Sequence, residues 1–343
     1  MADDTWTAKR ILDWIEGYLR DHGDGNPRLA AQWLVSEALG VSRTALFMDL
    51  DRPLSEDERA VLRDYTRRRG AGEPLQYITG EAPFRHITVK VAPGVLIPRP
   101  ETEVLVSEAL ALLPAPPKAP TREEAALAAR FGALVAEQGR EAVEEALRES
   151  LSEEEAQSLL PYLDGAGCCD RPLLVADICT GSGCIACSLA CEHPSVRAVA
   201  TDIAPEAVAL ARQNACALGL AERVEVLECD LGEGIDPALM GSFDLVASNP
   251  PYVPTAVLAQ LPREVGAYEP SLALDGGPDG LDVFRRLLDL CSRVLGPGGA
   301  FAFELHETCL DAAAAEARAA GFREVRIIPD LAGRLRVLTG RRA

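Results

Sequence analysis

From residue 172 onward, short and nearly unbroken apolar segments alternate with helix-length stretches, and this rhythm constrains the fold more than any other feature of the chain. The segments fall at 172–178, 197–202, 223–228, 242–248, 299–305, 323–328 and 334–338. A strand that is apolar on both faces has to be covered on both, and strands separated by helices pair in parallel. The pattern predicts an α/β fold: a Rossmann-like, doubly wound sheet of seven strands. Such sheets bind ligands beyond the carboxyl ends of their strands, so the residues that follow each strand carry the functional reading.

The chain before this region divides into three parts. Residues 1–75 read as a small helical domain. Ile11, Trp14, Ile15, Tyr18 and Leu19 form an apolar stripe at helical spacing. Asn26, Pro27 and Gly40 cap, open and close a second helix, and Ser55 with Glu58 starts a third as a capping box that stops at Gly70. The three tryptophans, at 6, 14 and 33, all lie here and are expected in its core. Residues 76–114 predict a linking β-hairpin, from Ile87, Val89, Val91 and Val95-Leu96-Ile97, and then a helix from Thr102 to Leu113. Residues 115–170 carry five basic and twelve acidic side chains between Pro-rich edges, and read as an acidic Ala/Glu-rich insertion. Its run Glu153-Glu154-Glu155 is expected at a solvated helix start. Residues 171–343 form the catalytic domain.

Charge and cysteine usage exclude further classes. With 34 basic and 53 acidic side chains the net charge is −19, which repels phosphate backbones and argues against stable nucleic-acid binding. No apolar run reaches the ~20 residues of a membrane span, and Met-Ala-Asp-Asp-Thr lacks the basic start of a signal peptide. A cytoplasmic protein with its ten cysteines reduced is expected. Cys179, Cys184 and Cys187 have a spacing that iron–sulfur proteins use. Cys184, Cys187 and Cys191 also recur at i, i+3 and i+7 of one helix, so packing against the sheet is expected and no metal. Cys168-Cys169 has no evident third ligand. His22, His86, His193 and His306 show no ligand spacing, although His306 follows a strand and could edge a pocket. Arg67-Arg68-Arg69 reads as a helix end that complements the dipole.

The first strand of the sheet runs into Asp177-Ile178-Cys179-Thr180-Gly181-Ser182-Gly183. Gly181 and Gly183 allow a tight turn and a close backbone approach to a ligand, and Asp202, 19 residues beyond Gly183, closes the second strand where a ribose could be held. On these residues alone NAD and S-adenosylmethionine are equally supported. The fourth strand separates them, because it leads directly into Asn249-Pro250-Pro251-Tyr252. Proline fixes its own φ and keeps its predecessor extended, so the Asn249 side chain and the Pro250 carbonyl can be held as two acceptors for one NH2 group. An amide or aromatic amine is a poor nucleophile. Two acceptors orient it and stabilise the positive charge that develops on nitrogen as a methyl arrives, with Tyr252 stacked on its plane and no strong base needed. An NAD-dependent oxidoreductase gives no reason for this motif.

With the motif stand three longer runs: Glu73-Pro74-Leu75-Gln76-Tyr77-Ile78-Thr79-Gly80, Val95-Leu96-Ile97-Pro98-Arg99-Pro100-Glu101-Thr102-Glu103, and Tyr268-Glu269-Pro270 followed by Ala273-Leu274-Asp275-Gly276-Gly277-Pro278-Asp279-Gly280-Leu281. Together they resemble the class I methyltransferases with an NPPY motif, and specifically the peptide-chain release-factor glutamine methyltransferases (the PrmC/HemK family). The resemblance covers most of the chain outside 115–170. It implies S-adenosylmethionine as methyl donor, S-adenosylhomocysteine as product and the side-chain nitrogen of the glutamine in a release factor's Gly-Gly-Gln loop as acceptor. It further implies a cofactor site of Asp177, Cys179, Thr180, Gly181, Ser182, Gly183, Asp202, Asp230, Leu231 and Asn249. In it Thr180 to Gly183 wrap the methionine end, Asp202 holds the ribose, and Asp230 with Leu231 lies along the adenine. Asn249, Pro250, Pro251 and Tyr252 would hold the substrate amide, and the N-terminal domain of a monomer would help hold the release factor. Cys179 and Cys184, where the family more often has small residues, and Arg85-His86 after Phe84 are departures at the pocket edge. The rivals are a ribosomal-protein glutamine methyltransferase and a nucleic-acid adenine methyltransferase, the second disfavoured by the acidic charge.

Overall fold

The computed structural model describes residues 5–115, 122–152, 159 and 171–343. The predicted helices are present at the N-terminus as Ala8–Asp21, Pro27–Leu39 and Glu56–Gly70. Asn26 accepts from the Leu29 amide, Gly40 takes the left-handed C-cap, and Ser55 and Glu58 close both halves of the capping box. Two short helices, Arg43–Met48 and Leu75–Thr79, escaped the sequence reading. Ile11, Leu12, Ile15 and Leu19 bury one face of the first helix against Leu34, Val35 and Leu62. Trp14 departs from the expectation of core burial: it is 46 % exposed and stacks on Tyr18, because the four aliphatic residues already fill the helix interface.

The linking hairpin is β1 (Glu81–Phe84) paired antiparallel with β2 (Ile87–Lys90), and the predicted helix follows as Thr102–Leu112. Val95-Leu96-Ile97 is not part of a strand; it runs as irregular chain along the face of the catalytic domain. Within the insertion, Arg122–Gln138 and Arg140–Ser150 are helices that pack on each other. The run Glu153-Glu154-Glu155 and Cys168-Cys169 lie outside the described residues.

All seven expected strands form one sheet: β3 (Leu173–Ile178), β4 (Val196–Asp202), β5 (Val224–Glu228), β6 (Phe243–Ser248), β7 (Leu295–Glu304), β8 (Arg323–Pro329) and β9 (Leu335–Arg341). Their order is β5-β4-β3-β6-β7-β9-β8, parallel except for β9, which runs antiparallel to both its neighbours. One face, with Val175, Ala200, Leu245 and Ala302, packs under the helices Thr102–Leu112, Cys184–Glu192 and Pro205–Ala217. The other face, with Ile178, Val246, Phe301 and Phe303, packs under Asp282–Val294 and Leu310–Ala319. Burial on both faces is why the strands read as continuous apolar runs. Cys184 and Cys187 are buried as expected, whereas Cys191, at the last turn of the same helix, is exposed. Among the described residues no helix is long and apolar enough to cross a membrane.

The order reverses between β3 and β6, whose carboxyl ends therefore diverge into a crevice. The Ser248 hydroxyl donates to the Ile178 carbonyl at 2.6 Å and ties the two strand ends together at that point.

Candidate functional site

A cavity opens at this switch point. Its floor is Cys179, Thr180, Gly181, Ser182 and Cys184 after β3, its sides are Asp202 and Ile203 after β4 and Asp230 and Leu231 after β5, and Asn249 and Pro251 come from the end of β6. The irregular run Gly94–Arg99 and Thr102 close one wall, and Pro270, Leu272 and Ala273 another. Sequence reasoning assigned no role to these last two walls, although both lie in the runs that carried the family resemblance. Of the expected site residues, Asp177, Gly183, Pro250 and Tyr252 are not in the cavity lining; Pro250 and Tyr252 flank Asn249 and Pro251, which are. His306 stays outside as well; its Nδ1 is 2.8 Å from the Thr308 hydroxyl.

The glycine loop is held by carboxylates. Asp177, fully buried, accepts the Thr180 hydroxyl at 2.6 Å and the Ala186 amide at 3.0 Å on one oxygen, and its other oxygen has no partner. Burial pushes this carboxyl up to about 7, against the two hydrogen bonds that favour its ionised form. Asp202 accepts the Gly181 amide at 2.9 Å on one oxygen and the Ala204 amide at 3.0 Å on the other, with the Ile203 amide as a third backbone donor. Burial raises Asp202 as well, opposed by its backbone donors. Gly183 permits the helix after the loop to sit close to its neighbour, since a Cβ there would lie 3.1 Å from that of Ala211.

The cavity is rich in acceptors and poor in free cations. Its two arginines are already paired, Arg99 with Glu269 and Arg286 with Asp230. The first-turn amide of Ala186, a natural phosphate donor, is taken by Asp177. Two carboxylates at successive strand ends, an apolar slot formed by Ile203, Leu231 and Leu272, and a carboxylate-braced loop fit an adenosyl group bearing a sulfonium better than a pyrophosphate.

Behind Asn249 lies a chain of polar groups that no sequence spacing announced. The Asn249 side-chain nitrogen is 3.1 Å from Thr102 Oγ1, and the Thr102 hydroxyl donates to Glu304 Oε2 at 2.6 Å. The Tyr252 hydroxyl donates to Glu304 Oε1 at 2.9 Å. Glu304, at the end of β7, is 1 % exposed. Tyr252 is fixed from a second side too: Gly276 and Gly280 press on its backbone, where a Cβ would come within 2.6 Å of its Cα and 2.5 Å of its carbonyl oxygen respectively. Val253 then bridges to Asp275. The run Asp275–Leu281 is thus a brace for the Asn249–Tyr252 turn.

The wall formed by Gly94–Arg99 is anchored from two sides. The Tyr77 hydroxyl donates to the Val95 carbonyl at 2.7 Å, and Glu269 accepts the Ile97 amide at 3.4 Å while paired with Arg99. Arg67, Arg68 and Arg69 all find acidic partners, in Asp64, Glu73 and Asp24, and Arg69 also reaches Glu264 beyond the cavity. Among the described residues no group of three potential metal ligands occurs.

Comparison with known proteins gives two family matches: the PrmC N-terminal domain over residues 10–80, and the Methyltransferase small domain over 156–260. The relatives include the release factor glutamine methyltransferase of Geobacter sulfurreducens, 37 % identical over 88 % of this chain and 84 % of that protein. The protein of the same name from Caulobacter vibrioides is 36 % identical over 98 % of this chain and 94 % of its own. That of Moorella thermoacetica is 36 % identical over 96 % of each.

Proposed function

The chain belongs to the release factor glutamine methyltransferase family, and from that premise we propose that it transfers a methyl group from S-adenosylmethionine to the side-chain nitrogen of the glutamine in the Gly-Gly-Gln loop of a peptide-chain release factor. The observation that carries this reading is the Asn249-Pro250-Pro251-Tyr252 turn at the switch point of a methyltransferase sheet, beside an acceptor-rich cavity. Bound S-adenosylmethionine supplies an electrophilic methyl on a sulfonium, whose sulfur leaves with the electron pair of the broken bond.

Thr180 to Ser182 hold the methionine end, Asp202 accepts the ribose hydroxyls, and Asp230 with Leu231 borders the adenine. Asn249 and the Pro250 carbonyl accept the two N–H bonds of the glutamine amide and aim its nitrogen at the cavity. They also stabilise the charge that grows on that nitrogen, which then loses a proton to water. Tyr252, anchored through its hydroxyl, packs beside the amide. The paired arginines support this donor over a pyrophosphate cofactor. The N-terminal helical domain and the arm around Glu264–Tyr268 would grip the release factor outside the loop. A methylation assay with labelled S-adenosylmethionine tests the reading: label is expected on purified release factor, and label on DNA or a ribosomal protein alone would contradict it.

A further inference from the structure

An amide side chain has nearly the same shape with its oxygen and nitrogen exchanged, so Asn249 could present either an acceptor or a donor to the cavity. The groups behind it decide which. Both Glu304 oxygens accept a hydroxyl, Oε2 from Thr102 and Oε1 from Tyr252, so neither offers Thr102 a proton. The single Thr102 hydroxyl proton is therefore committed to Glu304 Oε2, and Thr102 Oγ1 can offer Asn249 only a lone pair. The Asn249 NH2 must face Thr102, and its oxygen must face the cavity. Burial raises the Glu304 carboxyl above its usual range, opposed by the Thr102 and Tyr252 hydroxyls and the nearby Arg336.

We propose that Glu304 is a positioning residue that sets the polarity of Asn249 through Thr102, and so makes the site select the amide of glutamine over the isosteric carboxylate of glutamate. A glutamine amide brings two N–H donors to the Asn249 oxygen and the Pro250 carbonyl. A glutamate brings only lone pairs to the same two acceptors and is repelled. The inference rests on the proposed glutamine methyltransferase activity and assigns the residue that gives it that specificity. Thr102 and Glu304 lie 202 positions apart in the chain and meet only because the helix Thr102–Leu112 packs across the end of β7.

The test compares two affinities at pH 8: that of a release factor with its loop glutamine, and that of the same factor carrying glutamate there, measured as a competitive inhibitor. The wild-type protein should bind the glutamine form at least about a hundredfold more tightly, as sites built to pair a substrate N–H do. Glu304→Gln supplies an NH2 that can donate to Thr102, lets Thr102 donate to Asn249 and turns that amide around. Its preference should fall at least about tenfold. Thr102→Val breaks the relay without touching Glu304 and should do the same, while Thr102→Ser keeps the hydroxyl and the preference. A purely structural role would weaken both forms alike and leave the ratio unmoved. If Glu304→Gln does not fold, Thr102→Val reads the same quantity. An unchanged ratio in Thr102→Val, with the wild-type protein active on glutamine, overturns this inference alone; no methylation of glutamine by the wild-type protein overturns the activity on which it rests.

Discussion

Asp177 shows how one side chain can tie the site to the stability of the whole fold. Its carboxyl is fully buried, braces the glycine loop through Thr180 and Ala186, and is pushed up to about 7. The unfolded chain loses this proton near pH 4, so between about pH 4 and 7 the folded state holds a proton that the unfolded state has released. Its contribution is therefore greatest at the acidic end, falls as pH rises through that window and is flat above about 7. The change amounts to a few kcal/mol, because each tenfold difference in proton affinity between the folded and unfolded chain is worth about 1.4 kcal/mol. Asp177→Asn keeps an acceptor for the Ala186 amide but does not titrate. Thermal melts of the two proteins should give similar Tm values near pH 5 and a relative gain for Asp177→Asn by pH 8. A Tm difference independent of pH would show that Asp177 titrates normally.

At the scale of elements, the brace Asp275–Leu281 has a sharper demand than any helix. Gly280 has φ +78° and no room for a Cβ, which would sit 2.5 Å from the Tyr252 carbonyl oxygen. Gly280→Ala should displace the Asn249–Tyr252 turn, lower Tm by several degrees at a cost of about 1–3 kcal/mol, and lower turnover with it. Parental turnover in Gly280→Ala would remove the brace from the account. The sequence made much of this level readable and left some of it out. Seven strands could be read because burial on both faces writes unbroken apolar runs, and the capping box of Ser55 and Glu58 could be read because it is local. Glu304 and Thr102 could not, since a contact between residues 202 apart leaves no periodicity. Trp14 misled for a similar reason: the stripe shows which side of the helix is apolar, while the neighbours that arrive decide how much of it is covered.

Over the whole molecule, the two junctions of the insertion and the site lie at opposite ends of the sheet. Just before the insertion the Pro114 carbonyl oxygen is 3.0 Å from His193 Nε2, and just after it Arg171 pairs with Asp244. His193 precedes β4 and Asp244 lies near the start of β6, so both junctions sit at the amino ends of parallel strands. The cavity is at the carboxyl ends. Replacing 116–170 by a short Gly/Ser linker should therefore leave kcat/KM near the parental value, because both junctions are remote from the cavity and closing a linker of different length costs little entropy. A fall of more than about tenfold, equivalent to about 1.4 kcal/mol in the barrier, would place the insertion in substrate recognition. The N-terminal domain differs in this respect, since Arg69 joins it to Glu264, a few residues before the cavity wall of Pro270, Leu272 and Ala273.

In the proposed reaction Asn249 holds the amide of one release-factor glutamine during methyl transfer. The most direct test of this is peptide mass mapping of a release factor incubated with S-adenosylmethionine and either the wild-type protein or Asn249→Ala. The wild-type protein should add one methyl to the glutamine of the Gly-Gly-Gln loop. With Asn249→Ala the rate should be about 10² to 10³ lower at nearly unchanged Tm, as expected when one preorganised acceptor is lost from the transition state. Methylation of that glutamine by Asn249→Ala at the wild-type rate, or a methyl found on any other residue, would contradict it.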